Sequence, residues 1–515
     1  MSLIESNWRR GSSAFCLLPS AYCLLLTLLV AAIFFPAMSI KAQTPQATPP
    51  PPAPPRPLQI PRPSEKTLAN GLRVSVIERS NTPLVSAELI IKNGVEIDPP
   101  GLAGLAHMTA SLLTLGTRTR SATQIAEAIE ALGGSQASAA EWDSSTASVN
   151  VMSSRIGPAM EILADVVRHP TFKSDEIERL RQQYLDYLSV QLGEPGVIAD
   201  FVAARVIFGD APYGHPLGGT PESLKRIRRI DVLRLHVKFY RPDNAILVIG
   251  GDIRPGEAFS LAQKYFGDWR QFAGPAGSIT RSPRSALAGQ TGRRRRVVVI
   301  DKPDAGQAAV MVTLAGIDRR DSDFFRGIVT NSVLDGYSGR LNQEIRIKRG
   351  LSYGAGSSLE ARREVGPFVA SAQTKNDAGA QVAGLLLSEV DRLATAPASE
   401  AELVPRKAVL IGSFSRELEQ VNGLVGDLGF LALLGLTLDE TNRFVNNVQA
   451  VTASDVQQFA AGRLNAREAS IVIVGDAKQF LPELQKQFQA VEVIPIKDLD
   501  LNSGALRKRA SKRKR

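Results

Sequence analysis

Histidine is the side chain in this sequence that most directly suggests chemistry, because neutral imidazole is a common zinc ligand. One of the four histidines, His107, lies in the apolar stretch GLAGLAHMTASLLTLGT, which is typical of an amphipathic helix. None of the others (His169, His215 and His236) lies four residues from His107, where a second imidazole would share its helix face. A catalytic zinc normally needs three protein ligands. We therefore expect His107 to be a partly buried helix histidine, and we predict no metal site in this chain.

His215 is the second histidine that invites a catalytic role, since it lies in the segment PYGHPLGGT. The residues around it favour turns and indicate a loop: Pro212, Gly214, Pro216, Gly218 and Gly219. We predict that this histidine is structural and not a general base.

The N-terminal residues have the pattern of an export segment. Two arginines precede a stretch without charges from residue 11 to residue 40, so we assign residues 1–42 to an export signal. The apolar run is longer than in a typical signal, which leaves a membrane anchor formed by residues 11–40 as the alternative. Both cysteines, Cys16 and Cys23, lie in this segment. We expect an exported protein, periplasmic or extracellular or anchored to the inner membrane, without disulfides.

The formal charge of +10 is concentrated in two short segments. Residues 507–515 carry seven positive side chains and residues 293–296 carry four, so the rest of the chain is about neutral. This distribution argues against a nucleic-acid-binding face. The alternative is membrane contact, through the apolar N-terminal segment or through the tail, whose clustered lysines and arginines favour anionic membrane surfaces.

The rest of the chain has the elements of a folded α+β protein. After a proline-rich linker at residues 43–63, an Asn-Gly pair introduces an alternating strand. Hydrophobic periodicity, with Ser121 as a helix N-cap and Gly133-Gly134 as a stop signal, predicts the following elements. They are strands at 66–79 and 84–94, helices at 102–115 and 121–134, and then a strand and a helix between residues 144 and 172.

An internal repeat organises the chain. Residues 231–252 align without a gap with residues 455–476, and residues 85–94 match residues 309–316 at nearly the same offset. A repeat of this kind favours duplication of a whole domain. We predict an N-terminal domain at 64–272, an interdomain linker at 273–295, a C-terminal domain at 296–491 and a basic tail at 492–515.

Five segments in the same order resemble the pitrilysin/insulinase family of zinc peptidases, the inverzincins. They are TLANGLRVSV, GLAHMTASLLTLGT, PYGHPLGGTPESL, FYRPDNAILVIGGD and GRLNQEIRIKRGLSYG. The resemblance covers nearly all of the chain beyond the export segment. It implies two homologous α+β domains, each a mainly antiparallel sheet packed with helices, which face each other as a clamshell around an extended peptide.

The resemblance also implies that the zinc motif is degenerate here. Active members have H-x-x-E-H on a helix, with two zinc-binding histidines and a glutamate that activates water. Aligned on the surrounding glycines, the motif positions are His107, Ala110 and Ser111, so the first ligand remains while the base and the second ligand are replaced.

A third zinc ligand, a glutamate, is expected on the later helix at 177–188. Matched on Arg181, the two family glutamates fall on Leu180 and Tyr187, and Asp186 is the nearest carboxylate. The resemblance therefore places no zinc ligand set in this chain.

The second half keeps a pair of residues that the family uses on substrate. Arg346 and Tyr353, seven residues apart, match an arginine and a tyrosine that contact the bound peptide and stabilise the oxyanion in active members. We interpret them as substrate-binding residues contributed to a partner's site.

These interpretations combine into one hypothesis. The chain resembles the non-catalytic subunit of a two-chain processing peptidase, inactive alone and without a cofactor of its own, with zinc held by a homologous partner subunit. Two alternatives stay open: a peptide-binding or scaffolding protein without peptidase activity, and an autonomous zinc peptidase with substitute ligands.

Overall fold

A computed structural model describes residues 59–270, called the first half here, and residues 295–508, called the second half. The predicted export segment and most of the two predicted linkers lie outside the described residues. No single described helix is long and apolar enough to cross a membrane. Two helices joined by a 95° bend, Val421–Leu434 and Asp439–Ala450, reach that length and apolar character only when they are taken together.

A six-stranded sheet forms the centre of the first half, in the order β1-β2-β6-β3-β5-β4. Only the β2–β6 pair is parallel, and the other neighbours are antiparallel. The strands are β1 (Ser64–Thr67), β2 (Arg73–Glu78), β3 (Leu84–Ile91), β4 (Ser135–Ala140), β5 (Ser145–Met152) and β6 (Ala245–Gly251).

The second half repeats this arrangement, with the strand order β12-β7-β11-β8-β10-β9. Five strands occupy equivalent places in the two sheets, whereas the edge strands differ because β1 is antiparallel to its neighbour and β12 is parallel. The strands are β7 (Val297–Asp301), β8 (Ala308–Ala315), β9 (Ala355–Leu359), β10 (Pro367–Thr374), β11 (Ser470–Gly475) and β12 (Glu492–Pro495). The predicted α+β fold with two related, mainly antiparallel sheets is thus confirmed.

Helices pack against both sheets. In the first half they are α1 (Leu105–Leu112), α2 (Ala122–Ala131), α3 (Ile156–Arg168), α4 (Ser174–Gln191), α5 (Pro195–Phe208), α6 (Pro221–Arg226), α7 (Arg229–Phe239) and α8 (Pro255–Phe266). In the second half they are α9 (Phe324–Leu334), α10 (Arg340–Asn342), α11 (Gly379–Thr395), α12 (Glu400–Glu419), α13 (Val421–Leu434), α14 (Asp439–Ala450), α15 (Ala453–Arg463) and α16 (Ala477–Gln487).

Local signals in the sequence explain several of these boundaries. Gly71 adopts a φ of 88° in the turn before β2, as the Asn-Gly pair predicts. Ser121 caps α2 with a full capping box that includes Gln124. Gly133, with a φ of 64°, follows the end of the same helix.

In each half, one helix packs against the sheet of the other half. Helix α5 packs on β8 and β11, where Ile198 and Val202 share a buried cluster with Val298 and Met311. In return, α13 packs on β3 and β6 of the first sheet. Each sheet therefore has one face covered by its own helices and part of the other face covered by a helix from the opposite half.

The chain end differs from the sequence prediction, which begins a basic tail at residue 492. Strand β12 pairs with β7, and Leu499, Leu501 and Leu506 are buried in the cluster around α5. These apolar side chains hold residues 492–508 in the folded body, so the predicted tail starts too early. Its remaining residues, 509–515, lie outside the described residues.

Candidate functional site

Helix α1, which carries the first motif position, is held at its N-terminus by a carboxylate. Asp98 accepts hydrogen bonds from the backbone N–H groups of Gly104 (2.6 Å) and Ala106 (2.8 Å). Gly104 has a φ of 90°, and a Cβ there would lie 2.7 Å from the carbonyl oxygen of Gly218. The segments GLAHMTASLLTLGT and PYGHPLGGTPESL are thus packed together too closely for any side chain at Gly104.

His107 is half-buried on α1 and packs against an aromatic ring of α4. Its ring centroid lies 5.3 Å from that of Tyr184, at a tilt of 44°. The Nδ1 atom is buried and has no hydrogen-bond partner among the described residues. Burial lowers the pKa of the imidazole, so the neutral form is favoured.

Ser111, which the sequence analysis aligns with the second zinc ligand, is part of a hydrogen-bond chain. Its Oγ donates to the carbonyl of His107 at 3.1 Å and lies 2.6 Å from the hydroxyl of Tyr184, which donates to it. Ala110, which the sequence analysis aligns with the general base, is fully buried beneath β4, and its carbonyl accepts a hydrogen bond from Ser138 Oγ at 2.9 Å. At both positions, the residue present is engaged in packing or hydrogen bonds within the protein.

The positions matched to the family's glutamates lie apart on α4. Leu180 is buried in the core of the first half, whereas Tyr187 is 63% exposed. Asp186, the nearest carboxylate, accepts a hydrogen bond from Gln182 at 2.8 Å. Tyr184 of α4 contacts His107 and Ser111 of the motif helix, and the sequence pattern does not single it out. Its spacing of four residues from Leu180 is a weak signal, because such residues share a helix face.

These residues do not fit a zinc ion. One imidazole faces a phenol and a serine hydroxyl that hydrogen-bond each other, whereas zinc sites use imidazole, thiolate and carboxylate ligands. Within residues 59–270 and 295–508, no group of three or more histidine, cysteine, aspartate or glutamate side chains could hold a metal ion. No step of chemistry is therefore assigned to a metal in this chain.

His215 is buried in the loop that the sequence predicts. Its Nδ1 lies 3.1 Å from the carbonyl of Pro216, and its Nε2 lies 3.2 Å from the carbonyl of Val95. Burial lowers the pKa of this imidazole, and one ring N–H can donate to either carbonyl. The geometry is that of a residue that ties the loop to the first half.

Arg346 and Tyr353 lie on the surface of the second half. Helix α10 continues into a π turn, Gln343–Ile347, which places Arg346 on an exposed face. The guanidinium lies 5.6 Å from the ring centroid of Tyr337. Tyr353 follows in the connection to β9 and is 87% exposed.

Tyr353 lines a cavity of about 640 Å³ between α5 and the open face of the second sheet. Polar side chains from both sides surround it: Glu194, Asp200, Gln307, Ser371 and Gln373. Arg346 is not one of its described lining residues, and neither is any of the degenerate motif positions. Of the predicted substrate-binding residues, Tyr353 thus lies at this cavity and Arg346 lies outside its lining, and the motif positions on α1 lie apart from it.

Comparison with known protein families identifies the family of this chain. The model of the insulinase family, peptidase family M16, matches residues 73–218, and a model described as the peptidase M16 inactive domain matches residues 226–410. The chain belongs to the peptidase M16 family.

Relatives and solved structures agree with this family. An uncharacterized zinc protease of Mycobacterium leprae is 26% identical over 408 residues, which cover 79% of this chain and 90% of that protein. A peptidase M16 inactive domain from Pseudomonas fluorescens has a TM-score of 0.74 at 26% identity, covering 80% of this chain and 98% of that one. A Helicobacter pylori protease shares the fold with a TM-score of 0.74 at 19% identity, covering 81% of this chain and all of that one (100%). The M16 fold is shared along most of the described chain.

Proposed function

We propose that this M16 chain is the non-catalytic subunit of an exported, heterodimeric zinc metallopeptidase. The proposal rests on the residues of helix α1, where Ala110 is fully buried and Ser111 is hydrogen-bonded to Tyr184. A side-chain network of this kind stabilises α1 against α4 without offering metal ligands. Zinc and the general base are expected in a homologous partner subunit.

The cavity at Tyr353 supports a role in binding peptide. Its volume of about 640 Å³ lies within the range of ligand-binding clefts. The amides of Gln307 and Gln373 and the hydroxyl of Ser371 can donate to and accept from a peptide backbone. The exposed phenol of Tyr353 is free to turn toward a bound chain, since its side chain is mostly in solvent.

The proposed contribution of this chain to catalysis is electrostatic. A guanidinium and a phenol can each donate a hydrogen bond to a developing oxyanion. Arg346 and Tyr353 would supply these donors to the partner's site, and the cavity would complete the space for the peptide. Export by the segment within residues 1–42, as a cleaved signal or a retained anchor, is part of the same proposal.

Reconstitution with the partner tests the proposal. A homologue with H-x-x-E-H, sought among the genes next to the one for this chain, is purified, mixed with this chain, and assayed on a library of unstructured peptides. We expect no cleavage by this chain alone and cleavage by the mixture. Arg346→Gln or Tyr353→Phe is expected to lower kcat by about 100-fold, the effect of losing one oxyanion donor.

Arg254→Gln serves as the matched control, because Arg254 is exposed at the start of α8 and its side chain makes no capping hydrogen bond. Full kcat in both the Arg346 and the Tyr353 variants would contradict the active-site role. A complex that binds peptide but cleaves none would instead support the alternative of a peptide-binding or scaffolding protein.

A further inference from the structure

A second, smaller pocket lies where the two halves meet, and we call it the seam pocket. It has a volume of about 320 Å³ and is lined by Arg73, Lys92, Arg320, Arg363 and residues 432–435 at the end of α13. Two of the four cations come from each half. The lining residues that the structure describes include no carboxylate.

Two of these cations already have partners. Arg73 forms an ion pair with Glu65 at 2.7 Å. Arg363 donates to the carbonyl of Lys92 at 3.0 Å and lies 3.5 Å from a carboxylate oxygen of Glu96. Both guanidinium groups thus have a carboxylate neighbour already.

The other two cations, Lys92 and Arg320, form no ion pair within the described ranges. Asp243 is the carboxylate whose charge acts on Lys92, but Arg241 holds it through hydrogen bonds of 2.7 and 2.8 Å. Burial and the charges of Arg73 and Arg363 lower the pKa of Lys92. Lys92 is therefore repelled by the positive charges of Arg73 and Arg363, and a bound anion would relieve this repulsion.

The size and charge of the seam pocket define the ligand class. Its volume is at the lower end of the range for small-molecule sites. Two unpaired cations match a group of at least two negative charges better than a single carboxylate. Arginine forks and lysine ammonium groups are also the usual partners of phosphate oxygens.

We propose that the seam pocket binds a small phosphate-class oxyanion, of about the size of pyrophosphate, between Lys92 and Arg320. Because these residues belong to opposite halves, the ligand bridges the halves and stabilises the folded body. This site is separate from the Tyr353 cavity, with which it shares no lining residue.

Thermal unfolding with inorganic pyrophosphate tests the proposal. We expect a saturable rise in Tm, of about 3 °C at a hundred times Kd, relative to sodium chloride at the same ionic strength. Isothermal titration of the full chain then gives Kd directly. Orthophosphate is expected to bind more weakly than pyrophosphate, since it offers fewer charges, and a peptide with a free C-terminal carboxylate is expected not to compete.

Arg320→Gln provides the decisive variant, because Arg320 is exposed and its side chain forms no ion pair within the described ranges. We expect Kd for pyrophosphate to rise at least tenfold in this variant and in Lys92→Gln, with no change in Arg254→Gln. Arg254 lies beyond β6 at the opposite end of the first sheet and serves as the charge-matched control. Equal binding by the Arg320 variant, competition by the peptide carboxylate, or no Tm rise beyond the matched salt would each overturn the proposal.

Discussion

The exchange of helices between the halves predicts how the protein unfolds. Leu428 on α13 is 1% exposed and shares a cluster with Ile90 and Val248 of the first sheet. Replacing it by alanine leaves a cavity in that cluster, which costs about 3 kcal/mol of folding free energy. The entropy of unfolding of the roughly 430 described residues is about 0.9 kcal/mol/K at Tm, so a shift of about 3 °C is expected if both halves unfold together.

Differential scanning calorimetry measures this shift and the number of transitions. We expect one transition in the wild type and one in Leu428→Ala, displaced as a whole. Val409→Ala is the control, because Val409 on α12 is 49% exposed and its loss should change Tm little. Two transitions, only one of which moves in the Leu428 variant, would refute the view that the halves fold as one unit.

Three further results are expected. Burial raises the pKa of Glu96 to about 7, so the folded state keeps a proton that the unfolded state loses. The free energy of unfolding should therefore fall as pH rises from about 4.5 to 7. Urea denaturation should show a smaller fall in Glu96→Gln, and the same fall as in the wild type would contradict this explanation. Tyr184→Phe removes the hydrogen bond to Ser111 and should lower the free energy of unfolding, measured by urea denaturation, by about 1 kcal/mol. Adding Ser111→Ala should lower it no further, and an additive loss in the double variant would argue against the bond. Gly219→Ala should destabilise the protein by about 2 kcal/mol or more in the same assay. Gly219 has a φ of 84°, and the new Cβ would lie 2.3 Å from the carbonyl oxygen of Ala103. Wild-type stability in this variant would disprove the close contact.

Local sequence signals predict most of the first half's elements. The alternating residues of β2 and β5, the capping box at Ser121 and the apolar periodicity of α3 each have a short-range physical cause. The duplication was also visible, because equivalent strands in the two sheets have the same environment and so similar residues. Strand β4, SQASAA, was missed because small and polar residues give no clear alternation.

Long-range packing could not be predicted in the same way. Neither α5 nor α13 has a residue pattern that reveals which sheet it covers, since an apolar helix face fits any apolar surface. The contact of Tyr184 with Ser111 depends on the angle between α4 and α1, which spacing along the chain does not fix. The chain end after residue 491 was assigned to a tail from its charge, although the leucines before that charge are buried.

The metal content of the isolated full chain tests the central claim most directly. The chain is purified without chelators, equilibrated with a small excess of zinc, desalted and measured by atomic emission. We predict less than about 0.1 equivalent of zinc, since His107 stands alone as a ligand beside Ala110 and Ser111. About one equivalent of zinc, lost in His107→Ala, would contradict the assignment of this chain as a non-catalytic subunit.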